Sequence, residues 1–168
     1  MSQHFILIVD DEPHVLSAFL RALRKEPYQL ITAPDAQEAL KILEARDISL
    51  VVSDYNMPGM NGIEFLKQVR TRFPHILTIM LTGQAELEIA VQAINEVGIY
   101  KFIQKPWINE DLKMTLLRAL ESIDLATQRD RLVQKIKTRD AIIQELERQF
   151  PGITKVNRDE EGYMVMED

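Results

Sequence analysis

The chain has 168 residues, 46% of them hydrophobic and 27% charged, with no cysteine. At about 150 residues per domain this suits one compact unit with an appendage, and argues against two full domains, a collagen-like chain or disorder throughout. Without thiols there are no disulfides, thiolate zinc sites or cysteine nucleophile, and 20 Lys and Arg against 26 Asp and Glu give a net charge of -6, which disfavours nucleic acid as a direct partner.

Five short apolar runs recur along the chain, at residues 5–9, 28–32, 48–53, 76–81 and 102–104, and each is followed by a segment of helical period. Phe5-Ile6-Leu7-Ile8-Val9 is apolar without alternation, as expected of a parallel strand covered by helices on both faces. Val15, Leu16, Phe19, Leu20 and Leu23 form the first helical stripe, and Ala36, Leu40 and Leu43 the second. Phe65, Leu66 and Val69 form the third, and Leu87, Val91 and Ile94 the fourth. Pro13, Pro34-Asp35 and Gly62 open the first three helices, and Gly98 closes the fourth. The fold class is therefore α/β: a doubly wound, five-stranded parallel sheet over residues 1–122.

From about Asn109 to Gln149 there is neither Pro nor Gly, which predicts one long helix of roughly 60 Å at about 1.5 Å per residue. Leu112, Leu116, Ala119 and Ile123 can dock on the sheet. Beyond them Leu125, Arg129, Leu132, Ile136, Arg139, Ile143, Leu146 and Phe150 follow heptad spacing with two Arg interruptions. Residues 123–150 are thus expected to form a projecting coiled coil, with a homodimer through residues 125–150. A helix folded back on its own domain is the alternative. Pro151 and Gly152 stop the helix, and the tail 151–168 has the alternation of a small hairpin.

Ligands of doubly wound sheets bind beyond the carboxyl ends of the strands, where the winding reverses. Asp10 and Asp11 follow the first strand, Asp54 ends the third, Thr82 the fourth and Lys105 the fifth, so all five are expected at one edge. Crowded carboxylates repel one another unless a cation enters, and hard oxygen ligands suit Mg²⁺. A carboxylate that attacks phosphorus becomes an acyl phosphate, and Asp54, standing singly, is the expected nucleophile. Asp10 and Asp11 suit the metal, Lys105 pairs with carboxylate or phosphate, and Thr82 offers a hydroxyl to a phosphoryl oxygen. Taken singly, Asp10-Asp11 reads as a helix cap, Asp54 as a turn former, Thr82 as an N-cap and Lys105 as a solvated charge. Only together do they make a site. His4, His14 and His75 lack metal-ligand spacing and are expected at surfaces or helix ends.

The strings Val9-Asp10-Asp11-Glu12-Pro13, Asp54-Tyr55-Asn56-Met57-Pro58-Gly59-Met60-Asn61-Gly62, Leu81-Thr82-Gly83 and Phe102-Ile103-Gln104-Lys105-Pro106-Trp107 resemble the receiver domain of two-component response regulators over residues 3–121. The resemblance implies a flavodoxin-like sheet of order 2-1-3-4-5, and that Asp54 accepts phosphate from the phosphohistidine of a histidine kinase or phosphotransfer protein. It further implies that Asp10, Asp11, Asp54 and the Asn56 backbone carbonyl surround Mg²⁺, and that Thr82 and Lys105 engage the phosphoryl group. Thr82 and Phe102 map to the switch, Asn56 and Gln84 to positions that tune dephosphorylation, and the Lys105–Pro106 peptide to a cis bond. Trp107 is expected to pack.

The same strings are similar to receivers heading HD-GYP phosphodiesterases, but after residue 121 the chain has neither a His-Asp pair nor Gly-Tyr-Pro, no diguanylate cyclase signature and no room for a winged helix. The expected output is a phosphorylation-dependent change in the long helix that reaches a separate protein effector. A fragment of a longer regulator and a phosphorelay intermediate are alternatives. A Mg²⁺-dependent phosphatase using Asp54 is the rival from another class, disfavoured because Asn56 stands where such an enzyme carries a second Asp. No apolar run approaches the roughly 20 residues of a membrane span and residues 1–4 lack a cationic signal head, so a cytoplasmic protein is expected.

Overall fold

The computed structural model describes residues 3–86, 88, 91 and 97–153. Strands β1 (Phe5–Val9), β2 (Gln29–Ala33), β3 (Leu50–Asp54), β4 (Leu77–Thr82) and β5 (Lys101–Gln104) form one parallel sheet in the order β2-β1-β3-β4-β5. The expected architecture and strand order are borne out. Helices α1 (Pro13–Ala22), α2 (Ala36–Ala45) and α3 (Gly62–Arg72) alternate with the strands, and a long helix spans Asn109–Gln149.

The unbroken apolar character of β1 has a direct cause. Its side chains alternate between two cores: Leu7 and Val9 join Val51, Met80, Phe65, Leu66 and Val69 on one face. Ile6 and Ile8 join Leu50, Val52, Ile79, Leu81, Phe19 and Leu23 on the other, with Leu112, Leu116 and Ala119 of the long helix. Neither face of a central strand meets water, so both are lined mainly by apolar side chains. Fully burying side chains such as Phe19 and Phe65 contributes about 1.5–3 kcal/mol each. Trp107 packs as expected, with its ring centroid 4.5 Å from that of Phe19.

Local chemistry fixes the helix starts. Pro13 sits in the first turn of α1, where its missing N–H removes no helical bond. Asp35 accepts the Glu38 amide at 2.8 Å and so caps α2. Asn61 and Glu64 form a reciprocal capping box at α3, which orders the loop between Asp54 and that helix. The Lys105–Pro106 peptide is cis. Gly98 adopts φ +73°, the left-handed conformation suited to the end of a helix. Of the fourth helical stripe, Leu87 and Ile94 lie outside the described residues, as does the expected hairpin from residue 154 onward.

The chain divides into two units, residues 1–124 and 125–168. In the second unit, Leu125, Leu132, Ile136, Ile143, Leu146 and Phe150 are all exposed. Arg129 pairs with Asp130, and Arg139 with Asp140. No helix among the described residues is long and apolar enough to cross a membrane.

One histidine departs from expectation. His4 is buried, its Nδ1 lies 3.0 Å from Ser49 Oγ and its Nε2 3.3 Å from Asp124. It occupies the position before β1, where the docked part of the long helix covers it. His14 and His75 are exposed as expected.

Candidate functional site

Parallel strands deliver all five carboxyl ends to one edge of the sheet, and the order reverses between β1 and β3. Asp10 follows β1 and is fully buried, while Asp54 ends β3 at 5% exposure, in register with Leu81 of β4. Asp11 is exposed beside them, and ligand oxygens of Asp10, Asp11 and Asp54 all lie within 4.8 Å of one another. Lys105, delivered by the end of β5, places Nζ 2.8 Å from Asp10 Oδ2 and 2.9 Å from Asp54 Oδ1. The expected convergence of three carboxylates and an ammonium is therefore observed.

Backbone bonds hold this arrangement in place. The Glu12 amide donates to Asp10 Oδ1 at 2.9 Å, the Tyr55 amide to the Leu81 carbonyl at 3.0 Å, and the Lys105 amide to the Thr82 carbonyl at 2.8 Å. Gly62 donates to the Tyr55 carbonyl at 2.8 Å, and a Cβ at Gly62 would lie 2.2 Å from the Asp54 carbonyl oxygen. The start of α3 thus rests directly on the backbone of Asp54.

Thr82 is buried at the end of β4, with its hydroxyl donating to the Gly83 carbonyl at 3.1 Å rather than to a carboxylate. Phe102 is half-buried against the core that contains Met80, Val97 and Ile99. Asn56 and Gln84 are exposed at the loops after β3 and β4. The Asn56 amide donates to Glu86 Oε1 at 2.8 Å. Sequence reasoning missed two residues here. Gly62 stood within a quoted string, but its contact with Asp54 is a long-range packing fact, and Glu86 carries no motif that would single it out.

Electrostatics follow from burial and pairing. Desolvation pushes the Asp54 carboxyl above its ordinary range; Lys105 and the Tyr55 amide pull it back, Asp10 adds to the rise, and the net shift stays upward. Burial opposes the charge on Lys105, yet its hydrogen bonds and attraction to Asp10 and Asp54 outweigh this and raise its pKa. Because the folded-state value of Asp54 exceeds the unfolded one, the native state binds more protons between the two values. Stability from this group therefore falls as pH rises through that window, and the cost is complete above the raised value. In chelator-treated protein, the stability of wild type minus that of Asp54→Asn should grow as pH is lowered from neutrality into the ordinary carboxylate range. Urea unfolding at several pH values measures it, and a difference that shrinks on acidification contradicts it. Lys105, whose pKa is also raised, shifts stability in the same direction at higher pH: its contribution is present below the ordinary lysine value and is lost as pH climbs through its raised one.

The donor set fits a hard divalent cation. Three carboxylates provide anionic oxygens, only one of which is exposed, and Lys105 shows that the pocket already accepts positive charge between Asp10 and Asp54.

Comparison with known proteins agrees with this geometry. The family described as "Response regulator receiver domain" matches residues 6–117. Among curated proteins, the hydrogenase transcriptional regulatory protein HoxA of Cupriavidus necator is 35% identical over 143 residues, covering 85% of this chain and 30% of its own length. A crystal structure described as an adenylate cyclase from Rhodopirellula baltica superposes with TM-score 0.75 at 31% identity, covering 80% of this chain and 99% of that one. The signal receiver domain of an HD domain-containing protein from Pseudomonas fluorescens gives TM-score 0.72 at 34% identity, covering 77% and 95%. The chain spans about 30% of the length of the curated relatives it matches.

Proposed function

We propose, from the premise that this chain belongs to the response regulator receiver family, that Asp54 accepts a phosphoryl group from the phosphohistidine of a histidine kinase or phosphotransfer protein. A receiver is a signalling module and not a catalytic enzyme, so the phosphatase reading falls away. The observation that carries the proposal is the buried Asp54 carboxylate, held beside Asp10 and Asp11 and bridged to Asp10 by Lys105. Asp10, Asp11, Asp54 and the Asn56 backbone carbonyl would hold Mg²⁺, which when bound neutralises phosphoryl oxygens and lowers the barrier to attack. Lys105 moves from carboxylate to phosphoryl oxygen, and Thr82 turns its hydroxyl from the Gly83 carbonyl to the same group. Asn56 and Gln84, at the rim, tune the lifetime of the product.

The test is transfer of one phosphoryl group from a histidine kinase phosphodonor, dependent on Mg²⁺ and mapped to Asp54 by peptide mass spectrometry. Label on another residue would overturn the assignment.

Phosphorylation exchanges the single charge of the carboxylate for a phosphoryl group carrying about 1.5 to 2 negative charges, a net gain of at most about one, together with new acceptor oxygens. Inward movement of Thr82 leaves room for the half-buried Phe102 ring, which couples the site to β5 and the docked start of the long helix over a receiver of residues 1–122. We assign the output to residues 123–150. The exposed Leu125, Leu132, Ile136, Ile143 and Leu146 stripe supports pairing with a second copy, because an isolated helix leaves it in water. Sedimentation with and without beryllofluoride should show association or helix geometry changing with the phosphate mimic, and no change in either would dismiss the relay. A cytoplasmic adaptor that signals to a separate protein fits this best, with no direct nucleic-acid or membrane contact. A second reading, as the receiver portion of a longer regulator or a phosphorelay intermediate, is supported by the longer curated relatives. Among longer regulators, the loop likeness to receivers heading HD-GYP phosphodiesterases and the HD domain-containing neighbour make such an effector one candidate.

A further inference from the structure

We propose that Glu86 is a positioning residue for phosphoryl transfer, a latch that holds the Asn56 amide away from Asp54 and sets a fourth negative charge at the mouth of the site. The proposal rests on the reading of Asp54 as phosphoacceptor. Glu86 ends the short 3₁₀ turn Gln84–Glu86 that follows β4. Its Oε1 accepts the Asn56 amide at 2.8 Å, and a Cβ added to Gly83 would lie 2.6 Å from its Oε2. The side chain therefore folds back over Gly83, next to Thr82, and ties that loop to Asn56, two residues beyond Asp54. It joins the two loops that border the acceptor.

Two consequences follow. First, Glu86 lies outside the Asp10, Asp11 and Asp54 cluster, so its charge repels an incoming phosphodonor without ligating a cation there. In the forward step an Asp54 oxygen bonds to phosphorus while the P–O bond of acetyl phosphate breaks and its electron pair leaves with acetate. Each reactant is anionic, and a further carboxylate at the entrance slows their encounter. Second, the amide bound to Glu86 is withheld from the phosphoryl group. When water attacks the acyl phosphate, its oxygen bonds to phosphorus, Asp54 departs as carboxylate, and the protons of water remain with inorganic phosphate. An amide released from Glu86 can donate to the phosphoryl oxygens as charge builds on them, which accelerates that step.

Glu86→Gln keeps an acceptor for Asn56 and removes the charge, whereas Glu86→Ala removes both. With acetyl phosphate and Mg²⁺, labelling of Asp54 followed by intact mass should be about 3- to 10-fold faster in Glu86→Gln than in wild type at low ionic strength, and the ratio should approach one near 0.5 M salt. Dephosphorylation of Glu86→Ala should be about 3-fold faster or more, and Asn56→Ala in that background should abolish the gain. Equal labelling of wild type and Glu86→Gln at low salt, a ratio insensitive to salt, or a dephosphorylation gain that survives Asn56→Ala overturns the latch. Absence of label on wild-type Asp54 overturns the phosphoacceptor reading itself and the latch with it.

Discussion

Replacing Asp54 by asparagine is expected to reduce phosphoryl labelling by on the order of 100-fold or more, to background, while leaving the fold intact. The amide retains an oxygen to accept from Lys105, now 2.9 Å from Oδ1, but it is not a nucleophile toward phosphorus. Two other carboxylates compete for the role, and the geometry separates them. Asp10 is fully buried, with Oδ1 accepting from the Glu12 amide and Oδ2 from Lys105, so both oxygens are occupied. Asp11 is exposed at the edge, where a metal ligand is useful and a protected acyl phosphate is not. Asp54 shares burial and the lysine partner with Asp10 but is itself the last residue of β3, the middle strand of the sheet. Far-ultraviolet circular dichroism reports whether the variant folds, and intact mass after treatment with acetyl phosphate and Mg²⁺ reports the label. Persistent stoichiometric label in folded Asp54→Asn would transfer the role to Asp11 or beyond.

Gly62→Ala is expected to damage both stability and labelling, although it adds one methyl group. That methyl would lie 2.2 Å from the Asp54 carbonyl oxygen, 2.9 Å from Tyr55 Cα and 3.0 Å from the Asp54 carbonyl carbon. All three are backbone atoms and none can rotate aside. The start of α3 has to retreat, stretching the Gly62 amide bond to the Tyr55 carbonyl and dragging on the strand end that carries the acceptor. Overpacking of this kind costs about 1–3 kcal/mol or more, and a displacement of the reacting oxygen by about 1 Å can slow transfer about 100-fold. Gly59 provides the internal control: it has φ +82° but nothing within 4 Å of an added Cβ. Gly59→Ala should therefore cost only the conformational penalty of about 1–2 kcal/mol and leave labelling within a few-fold of wild type. Urea unfolding and initial labelling rates on the two variants measure both effects. Equal behaviour would show that the contact with Asp54 carries no weight.

Much of this architecture can be read in the chain because parallel sheets impose an unusually direct code. Strands buried on both faces are mostly apolar at successive residues, so Phe5-Ile6-Leu7-Ile8-Val9 and its later counterparts announce themselves, and the polar residues ending such runs fall at one edge. Asp10, Asp54, Thr82 and Lys105 are legible for that reason. What escapes is set by distant neighbours. Tyr28 reads as the first residue of a strand, but β1 pairs from Phe5 with Gln29, which leaves Tyr28 buried before β2 with its hydroxyl pushed well above its usual pKa by desolvation and Glu26. His4 reads as a surface residue because nothing nearby in sequence reveals Ser49 and Asp124 closing over it. The Thr82 hydroxyl reads as a ligand to phosphate, whereas its resting partner is the adjacent Gly83 carbonyl. Spacing locates side chains along an element, but it does not say which of two partners a rotatable hydroxyl prefers.

The uniform direction of the five strands separates the rim that carries the acidic pocket from an opposite rim. Turns entering the strands, around exposed Arg24 and Lys25, Arg46 and Asp47, and Pro74 and His75, lie at the opposite end from every residue of the acidic pocket. Changes to those turns meet none of the pocket's side chains, but His4 lies at the same end against Asp124 of the long helix, so remodelling there reaches the element to which the output is assigned.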